Sequence, residues 1–449
     1  MTNEESYIET ELRLQFNIPP SNKLGKFDIG WLKIFSRKGI LQQIATDGYA
    51  IITSLEQKEF SGQLEPRLLN KHDFSSNQPY IFVREKLGAL PIERNRYLIG
   101  KFNLFHSFPD TESSPPKTIP FPANIESIDH TDLTSEAMAL HAAEVSGIFH
   151  DFLEVCDLQQ TVSGRMGTGS FEMDLNSIPG GYTAKVSGAQ IEVDAGYETP
   201  ESLALVEAKN KLSSDFNVRQ VFYPYRVFRE KMRTKPVRNI YQVYSDGIFH
   251  LYEVFFENPR DLNTIRVLRS GKYAFSTESV TRKDVERIAS SSQIIPHQKQ
   301  GVPFPQADVF ARVVNLCEQI HAEGAMSKED IYLSQDFTPR QADYYLNAAR
   351  YIGLLNYDNQ SQLANLSCEG RQIMENDSPR QRRLGFASAI SRREPFLLTL
   401  RDALQHGEIP SRERILENMD SVGLTGSTLH RRASTVEGWI KWILDFIVD

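Results

Sequence analysis

Asp194 is followed, after twelve intervening residues, by Glu207-Ala208-Lys209. That spacing allows one tight turn and one short strand, so the stretches carrying the two acids are expected to pair as neighbours. Residues two apart on a strand project from one face, which puts Glu207 and Lys209 together and turned towards Asp194. Two converging carboxylates form a hard, oxygen-only site suited to Mg²⁺. A lysine beside them can orient or deprotonate a bound water and stabilise developing negative charge, which is the equipment for hydrolysing a phosphodiester. The same triplet could be a plain cross-strand salt bridge. Against that, it follows the apolar run Leu203-Ala204-Leu205-Val206, where burial disfavours charge that has no task. The one other carboxylate-x-Lys, Glu56-Gln57-Lys58, has no aspartate-bearing strand ahead of it.

The elements that must position these residues follow from pattern. Ala189 to Asp194 alternates, with Ile191 and Val193 on one face and Glu192 and Asp194 on the other. Glu198-Thr199-Pro200-Glu201-Ser202 reads as a turn, and Leu203 to Val206 as the returning buried strand. Ahead of them, Thr134 is the expected N-cap of a helix whose stripe is Met138, Ala142, Val145, Phe149, Phe152 and Cys156. Behind them, Phe216 to Arg233 reads as a helix or helix-turn dense in arginine and aromatics. Ile240 to Tyr244 and Ile248 to Phe256 form a hairpin across Ser245-Asp246-Gly247. This order predicts a mixed sheet flanked by helices.

Two stretches rich in proline and serine, Ser107 to Asp132 and Ala289 to Asp308, read as linkers. They divide the chain into three domains, residues 1–130, 131–300 and 301–449. The first is α+β, with a helix around Trp31 to Gln43 and strands at Tyr49 to Ile52, Tyr80 to Val83 and Tyr97 to Ile99. Its basic residues Arg67, Lys71, Arg84, Lys86, Arg94 and Arg96 face either DNA or solvent. The third reads as helical with a winged-helix pattern: a helix at Ser327 to Leu333, a second opened by Thr338-Pro339, and two wing strands at Leu354 to Tyr357 and Ser361 to Ser367. Arg340 and Tyr344 fall off the inward face of the second helix, and Arg431 and Arg432 sit on a terminal helix with Trp439, Trp442 and Phe446.

Composition sets the outer limits. The chain has 449 residues, with 50 Lys+Arg against 58 Asp+Glu for a net charge of −8, 26 Phe and 17 Tyr. That much apolar surface excludes disorder as the main state. No apolar run approaches a membrane span, and the acidic start MTNEESYIETELRLQF is no signal peptide. Cys156, Cys317 and Cys368 lie far apart, as expected of reduced core thiols in a cytoplasm rather than disulfides or a zinc cluster. Local clusters count for more than net charge. Leu212 to Ile240 holds Arg219, Arg226, Arg229, Lys231, Arg233, Lys235 and Arg238 among four aromatics, and Arg380, Arg382, Arg383, Arg392 and Arg393 form a second cluster. Either could track phosphates, or serve as a solvated helix face. Ser163 to Gly169 lacks the ending of a P-loop and reads as a turn or a flexible loop.

The run IEVDAGYETPESLALVEAKNKLSSDFNVRQVFYPYR resembles the PD-(D/E)XK nuclease superfamily, and within it a subgroup of Type II restriction endonucleases with a DAG-aromatic-Glu strand, an EAKN strand and a helix reading N-x-RQ-x-x-YPYR. The N-terminal run EPRLLNKHDF…LGALPIERNRYLIGKF and the C-terminal unit are also similar to such enzymes. The resemblance implies an α+β multidomain protein with a PD-(D/E)XK core, an α+β N-terminal domain and a winged-helix C-terminal domain. It implies that Asp194 and Glu207 bind Mg²⁺, that Lys209 is the catalytic lysine, and that a metal-activated water cuts double-stranded DNA. Val193 stands where the motif has proline; that position supplies no ligand. The opening helix would add Glu136 or Glu144 beside the metal, with Glu192 and Glu198 as other third carboxylates, and Gln220 would lie near the scissile phosphate. DNA contacts are expected from Arg219, Arg226, Arg340, Tyr344, Arg431 and Arg432. Further implications are a homodimer, a cognate DNA methyltransferase as genetic partner, and a cytoplasmic location. A modification-dependent or repair-type nuclease, and a non-catalytic winged-helix regulator, are the alternatives. Which flanking domain reads bases, and which only grips phosphate, stays open.

Overall fold

The computed structural model describes residues 3–109, 115–178, 181–276, 280–295, 301–335, 337–376 and 378–447. It is a mixed α+β architecture built around one large mixed sheet. Seven strands form that sheet: β1 (Lys117–Ile119), β2 (Gln159–Gly167), β3 (Gln190–Glu198), β4 (Leu203–Lys209), β5 (Val237–Ser245), β6 (Ile248–Phe256) and β7 (Ile265–Phe275), in the order β1-β7-β6-β5-β4-β3-β2. Only the β4–β5 and β7–β1 pairs are parallel. The β4–β5 pair is parallel because helix α2 (Arg219–Lys231) crosses over between the two strands, as a parallel connection requires.

β4 is buried along its whole length, and the two-residue alternation divides it between two cores. Ala204, Val206 and Ala208 pack under helix α1 (Glu136–Val145), whereas Leu203 and Leu205 pack with Val221 and Phe222 of α2. By the same parity Glu207 and Lys209 emerge on the α2 face. The tight turn between β5 and β6 uses Asp246 and Gly247 at φ of 52° and 73°, the left-handed pair that a two-residue hairpin needs.

Several expectations are corrected. α1 is capped by Ser135, whose side chain accepts from the Met138 amide, and not by Thr134. The apolar stripe is interrupted at Gly147 (φ 82°), where a second short helix, Ile148–Leu153, begins; Val145 and Cys156 consequently point outward. Of the three thiols only Cys317 is buried. Tyr80 to Val83 is helical (Tyr80–Glu85), because Ile81 and Phe82 turn together into the Trp31–Phe35 cluster; four apolar residues are too few to distinguish the two periods. The helix at Trp31 to Gln43 is two helices, Lys26–Lys38 and Ile40–Asp47, broken at Gly39. The stretch expected as a turn or loop from Ser163 to Gly169 lies mostly in β2.

Neither linker is a free tether over its described part; residues 110–114 and 296–300 lie outside the described residues. Phe105–Ser107 pairs with Asp215–Asn217, Lys117–Ile119 is the edge strand β1, and Phe304 and Ala307 are buried in the C-terminal core. Leu90, Leu98 and Phe102 of the N-terminal segment share a core with β3, β4 and α2. That segment carries its own three-stranded sheet and is held firmly against the large one.

The C-terminal segment runs helix Phe310–Glu323, strand Met326–Ser327, helix Lys328–Ser334, helix Pro339–Tyr351 and strands Leu355–Asp358 and Leu363–Leu366. Ser327 and Thr338 cap their helices with reciprocal capping boxes, and the three strands form one small sheet. Helix Gly426–Asp445 closes the unit by burying Trp439 against Phe310 and Phe396. No helix among the described residues is long and apolar enough to cross a membrane.

Candidate active site

The end of β4 and the first turn of α2 meet at the floor of a cleft. Lys209 Nζ donates to Glu207 Oε1 at 2.6 Å and to the Ala208 carbonyl at 3.0 Å. Gln220 Nε2 donates to the same Glu207 oxygen at 2.9 Å. Asp194, from the neighbouring β3, accepts the Ala208 amide at 2.8 Å. Antiparallel pairing of β3 and β4 ends at Ala195–Val206, so the aspartate and the Glu-Ala-Lys triplet lie where the two strands part. The residues expected to cooperate are therefore together.

The electrostatics of this floor are dominated by excess acid. Burial, reinforced by Asp194 and Glu136, pushes the Glu207 carboxyl up to about 8 even though Lys209 opposes the shift. Burial works against the Lys209 charge, but Glu207, Tyr241, Glu136 and Asp194 outweigh it and hold the ammonium well above the usual lysine value. At Glu207 burial is the larger cause and the neighbouring carboxylates add to it, whereas at Lys209 those carboxylates prevail over burial. Gln220 Oε1 and the Tyr241 hydroxyl are buried without a hydrogen-bond partner in the protein. Polar atoms so placed are aimed at a ligand or at water.

The remaining carboxylate candidates separate cleanly. Glu136, in the first turn of α1, lines the cleft and acts on Glu207 and Lys209. Glu144 instead accepts from the Tyr197 hydroxyl at 3.1 Å, Glu192 pairs with Arg165, and Glu198 pairs with Lys235. Among the described residues no group of three or more His, Cys, Asp or Glu is gathered to hold a metal. The floor offers two carboxylates. That fits Mg²⁺, which keeps several waters and takes one or two carboxylates together with substrate phosphate oxygens.

The cleft measures about 790 Å³ and is walled by the N-terminal segment, through Arg67 to Phe74 and Pro91 to Tyr97, opposite β3 and β4. Arg219 lines it, with its guanidinium over the Tyr223 ring. Tyr241 and Lys211 belong to the site and escaped the sequence reading. Lys211 carried a signal, since it stands two residues beyond Lys209 on the same run.

The expected DNA-contacting residues divide into free and committed ones. Arg340 is exposed, with its guanidinium against Tyr344, and Arg431 is exposed. Arg432 is half-buried and donates to Gln306. Arg226 is a correction: it is buried, donates to the Glu172 carbonyl and stacks on Phe171, because the α2 face it occupies turns inward. Arg238 is likewise tied to Glu253. The second basic cluster is internal as well: Arg380 pairs with Asp284, Arg382 with Asp132 and Arg392 with Glu369, while Arg383 and Arg393 donate to the carbonyls of Asp246 and Tyr351. These arginines hold elements together.

Three family profiles match the chain, each described as a domain of unknown function: DUF6996 over residues 28–99, DUF6997 over 100–274 and DUF7226 over 312–448. The candidate site lies within the second, and the walls of the cleft are drawn from the first and the second. No curated protein and no solved structure matches the chain.

Proposed function

We propose that this chain is a Mg²⁺-dependent, sequence-specific endonuclease acting on double-stranded DNA, a restriction-type enzyme with a PD-(D/E)XK core and a winged-helix C-terminal domain. The observation that carries the reading is the convergence of Asp194, Glu207, Lys209 and Gln220 at the parting of two strands, on the floor of a cleft of about 790 Å³. Asp194 and Glu207 would hold the metal, which when bound supplies Lewis acidity at the phosphoryl group and neutralises the acid cluster. Lys209 stands as a cation beside them, so its part is to orient the attacking water and stabilise charge developing on the phosphate. Gln220 fixes the Glu207 carboxylate and keeps one oxygen free for water or a phosphate partner. Glu136 adds negative charge at the rim.

In the C-terminal segment the order of helix, short strand, helix, capped helix and two-stranded wing supports the winged-helix reading, with Arg340 and Tyr344 on its presented helix. Cutting both strands requires two centres, which makes a homodimer the working form on DNA. A cognate methyltransferase would protect the host's own sites. An intact Asp-Glu-Lys set argues against a purely regulatory DNA binder.

The test is digestion of unmethylated and methylated phage DNA with Mg²⁺, beside an EDTA lane and a Lys209→Ala lane. Discrete fragments lost in both controls are expected, with Lys209→Ala still binding DNA. Full cleavage by Lys209→Ala would sink the site assignment, and intact DNA in every lane from folded protein would sink the nuclease reading. Cleavage confined to methylated DNA would make the enzyme modification-dependent.

A further inference from the structure

The wall of the cleft facing the acid floor is made by the N-terminal segment, and its charge is of the opposite sign. Arg67, Lys71 and Arg94 line it, and Lys211 and Arg219 join them from the two sides of the floor. Among the described residues none of these five makes an ion pair with a carboxylate, although most arginines elsewhere in the chain are so paired. Lys211 is set close enough to Lys71 that burial and that neighbour together lower its affinity for a proton. Glu136 and Asp73 oppose that shift without outweighing it, and two facing cations with no carboxylate in ion-pair contact are an arrangement that an incoming anion stabilises. Acids on the same wall do not cancel it: Glu93 is bound by Arg96, leaving Asp73 alone.

The wall is also fixed in place. Asn217, just before α2, donates from its side chain to the His72 carbonyl at 2.8 Å and from its amide to the Asp73 carbonyl at 2.9 Å. Asp215 accepts the Ser75 amide at 3.0 Å, and the Tyr223 hydroxyl donates to the Pro91 carbonyl at 3.0 Å. Both cation-bearing segments, Arg67 to Phe74 and the hairpin Pro91 to Tyr97, are thus bolted to the strand and helix that follow Lys209. A phosphodiester lowered onto Asp194 and Glu207 would otherwise meet Lys209 as the one cation among the floor's carboxylates.

We propose that Arg67, Lys71 and Arg94, with Lys211 and Arg219, grip the DNA phosphates that flank the scissile bond, so that the N-terminal segment is the backbone clamp of the cutting cleft. Base reading then falls to other elements, the C-terminal unit among them. The inference rests on the nuclease reading and extends it to a named phosphate-binding surface.

The test uses the full chain with Ca²⁺ in place of Mg²⁺, so that the acid floor is neutralised without cutting, with a fluorescein-labelled duplex of about 30 base pairs followed by anisotropy across a salt series. The probe variant is Arg67→Ala/Lys71→Ala/Arg94→Ala. All three side chains are exposed, so the variant is expected to melt with the wild type. Each phosphate grip removed should lower the slope of log affinity against log salt by about 0.9, giving a drop of roughly 2 to 3 and weakening binding about 10-fold or more at 0.1 M salt. Single Lys71→Gln, expected to remove about one such grip, serves if the triple variant melts early. Wild-type binding with an unchanged slope in folded variants would overturn the clamp and leave the nuclease reading standing. Absence of wild-type binding to any duplex at about 0.05 M salt would overturn both.

Discussion

Replacing Glu318 by glutamine should stabilise the protein at alkaline pH and do nothing at acid pH. Glu318 lies on helix Phe310–Glu323 where the C-terminal unit docks against the large sheet, in the wall of a pocket of about 290 Å³ shared with Asp132, Asn210 and Tyr244. Burial, then the nearby Asp246, push its carboxyl up to about 7, against the Asn315 amide and Arg382. Unfolded, the group titrates near 4.5. Between those values the folded chain holds a proton that the unfolded chain has released, so stability falls as pH rises through the window and the cost is complete above about 7. The interval corresponds to a ceiling of roughly 3 kcal/mol, and water in the pocket should reduce it to about 1–2 kcal/mol. Glutamine keeps an oxygen for the Asn315 amide, 3.4 Å away, and removes the charge. Urea unfolding followed by tryptophan fluorescence suits the question, because Trp439 and Trp442 both report on this unit. The midpoint of Glu318→Gln should exceed wild type at pH 8, by less at pH 5, and approach it below pH 4.5. An equal gain across that range, or a loss at pH 8, would refute the linkage argument.

Two other outcomes follow from the same reasoning. If Mg²⁺ binds as proposed it would displace the proton retained by Glu207, so Mg²⁺ affinity measured by calorimetry should weaken steadily as pH falls below about 8, with proton release on binding; pH-independent binding would place the metal elsewhere. Arg226→Ala should cost about 2–3 kcal/mol in urea unfolding, by removing the bond to the Glu172 carbonyl and the stacking on Phe171, while leaving the salt dependence of DNA binding unchanged; Arg219→Ala should do the reverse.

What the sequence could announce was local chemistry. Alternation along β4 sends Glu207 and Lys209 to one face, and the antiparallel register with Ala195 opposite Val206 brings Asp194 to their side. Along β3 alternation does not hold throughout, since Ile191 and Val193 pack in the α2 core and Ala195 and Tyr197 in the α1 core. Turn and cap residues were equally legible at Asp246-Gly247 and at Thr338-Pro339. The opposite wall was not. Arg67 and Arg94 reach the site only because Asn217 and Tyr223 anchor distant segments, and such pairings across more than a hundred residues leave no periodic trace. Basic runs misled for a related reason. Arg226, Arg238 and Arg382 count as positive charge in a sequence window, but each is spent on a carbonyl or carboxylate that only the folded chain supplies.

That last point bears on how a chain of net charge −8 could handle DNA. Net charge sets the far field, whereas a polyanion in contact responds to charges within about a Debye length, roughly 8–10 Å. Here the internal ion pairs remove most arginines from account and remove acidic partners with them. Within the cleft the two signs are sorted by place: Asp194 and Glu207 on the floor with Glu136 at the rim, Lys209 held against Glu207, and the cations Arg67, Lys71 and Arg94 on the wall with Lys211 and Arg219 beside the floor. A divalent cation at the floor would neutralise the acids and turn the whole cleft positive. DNA affinity should therefore rise with metal occupancy. In that arrangement the acid cluster proposed to carry the chemistry would also keep the metal-free protein from holding DNA tightly.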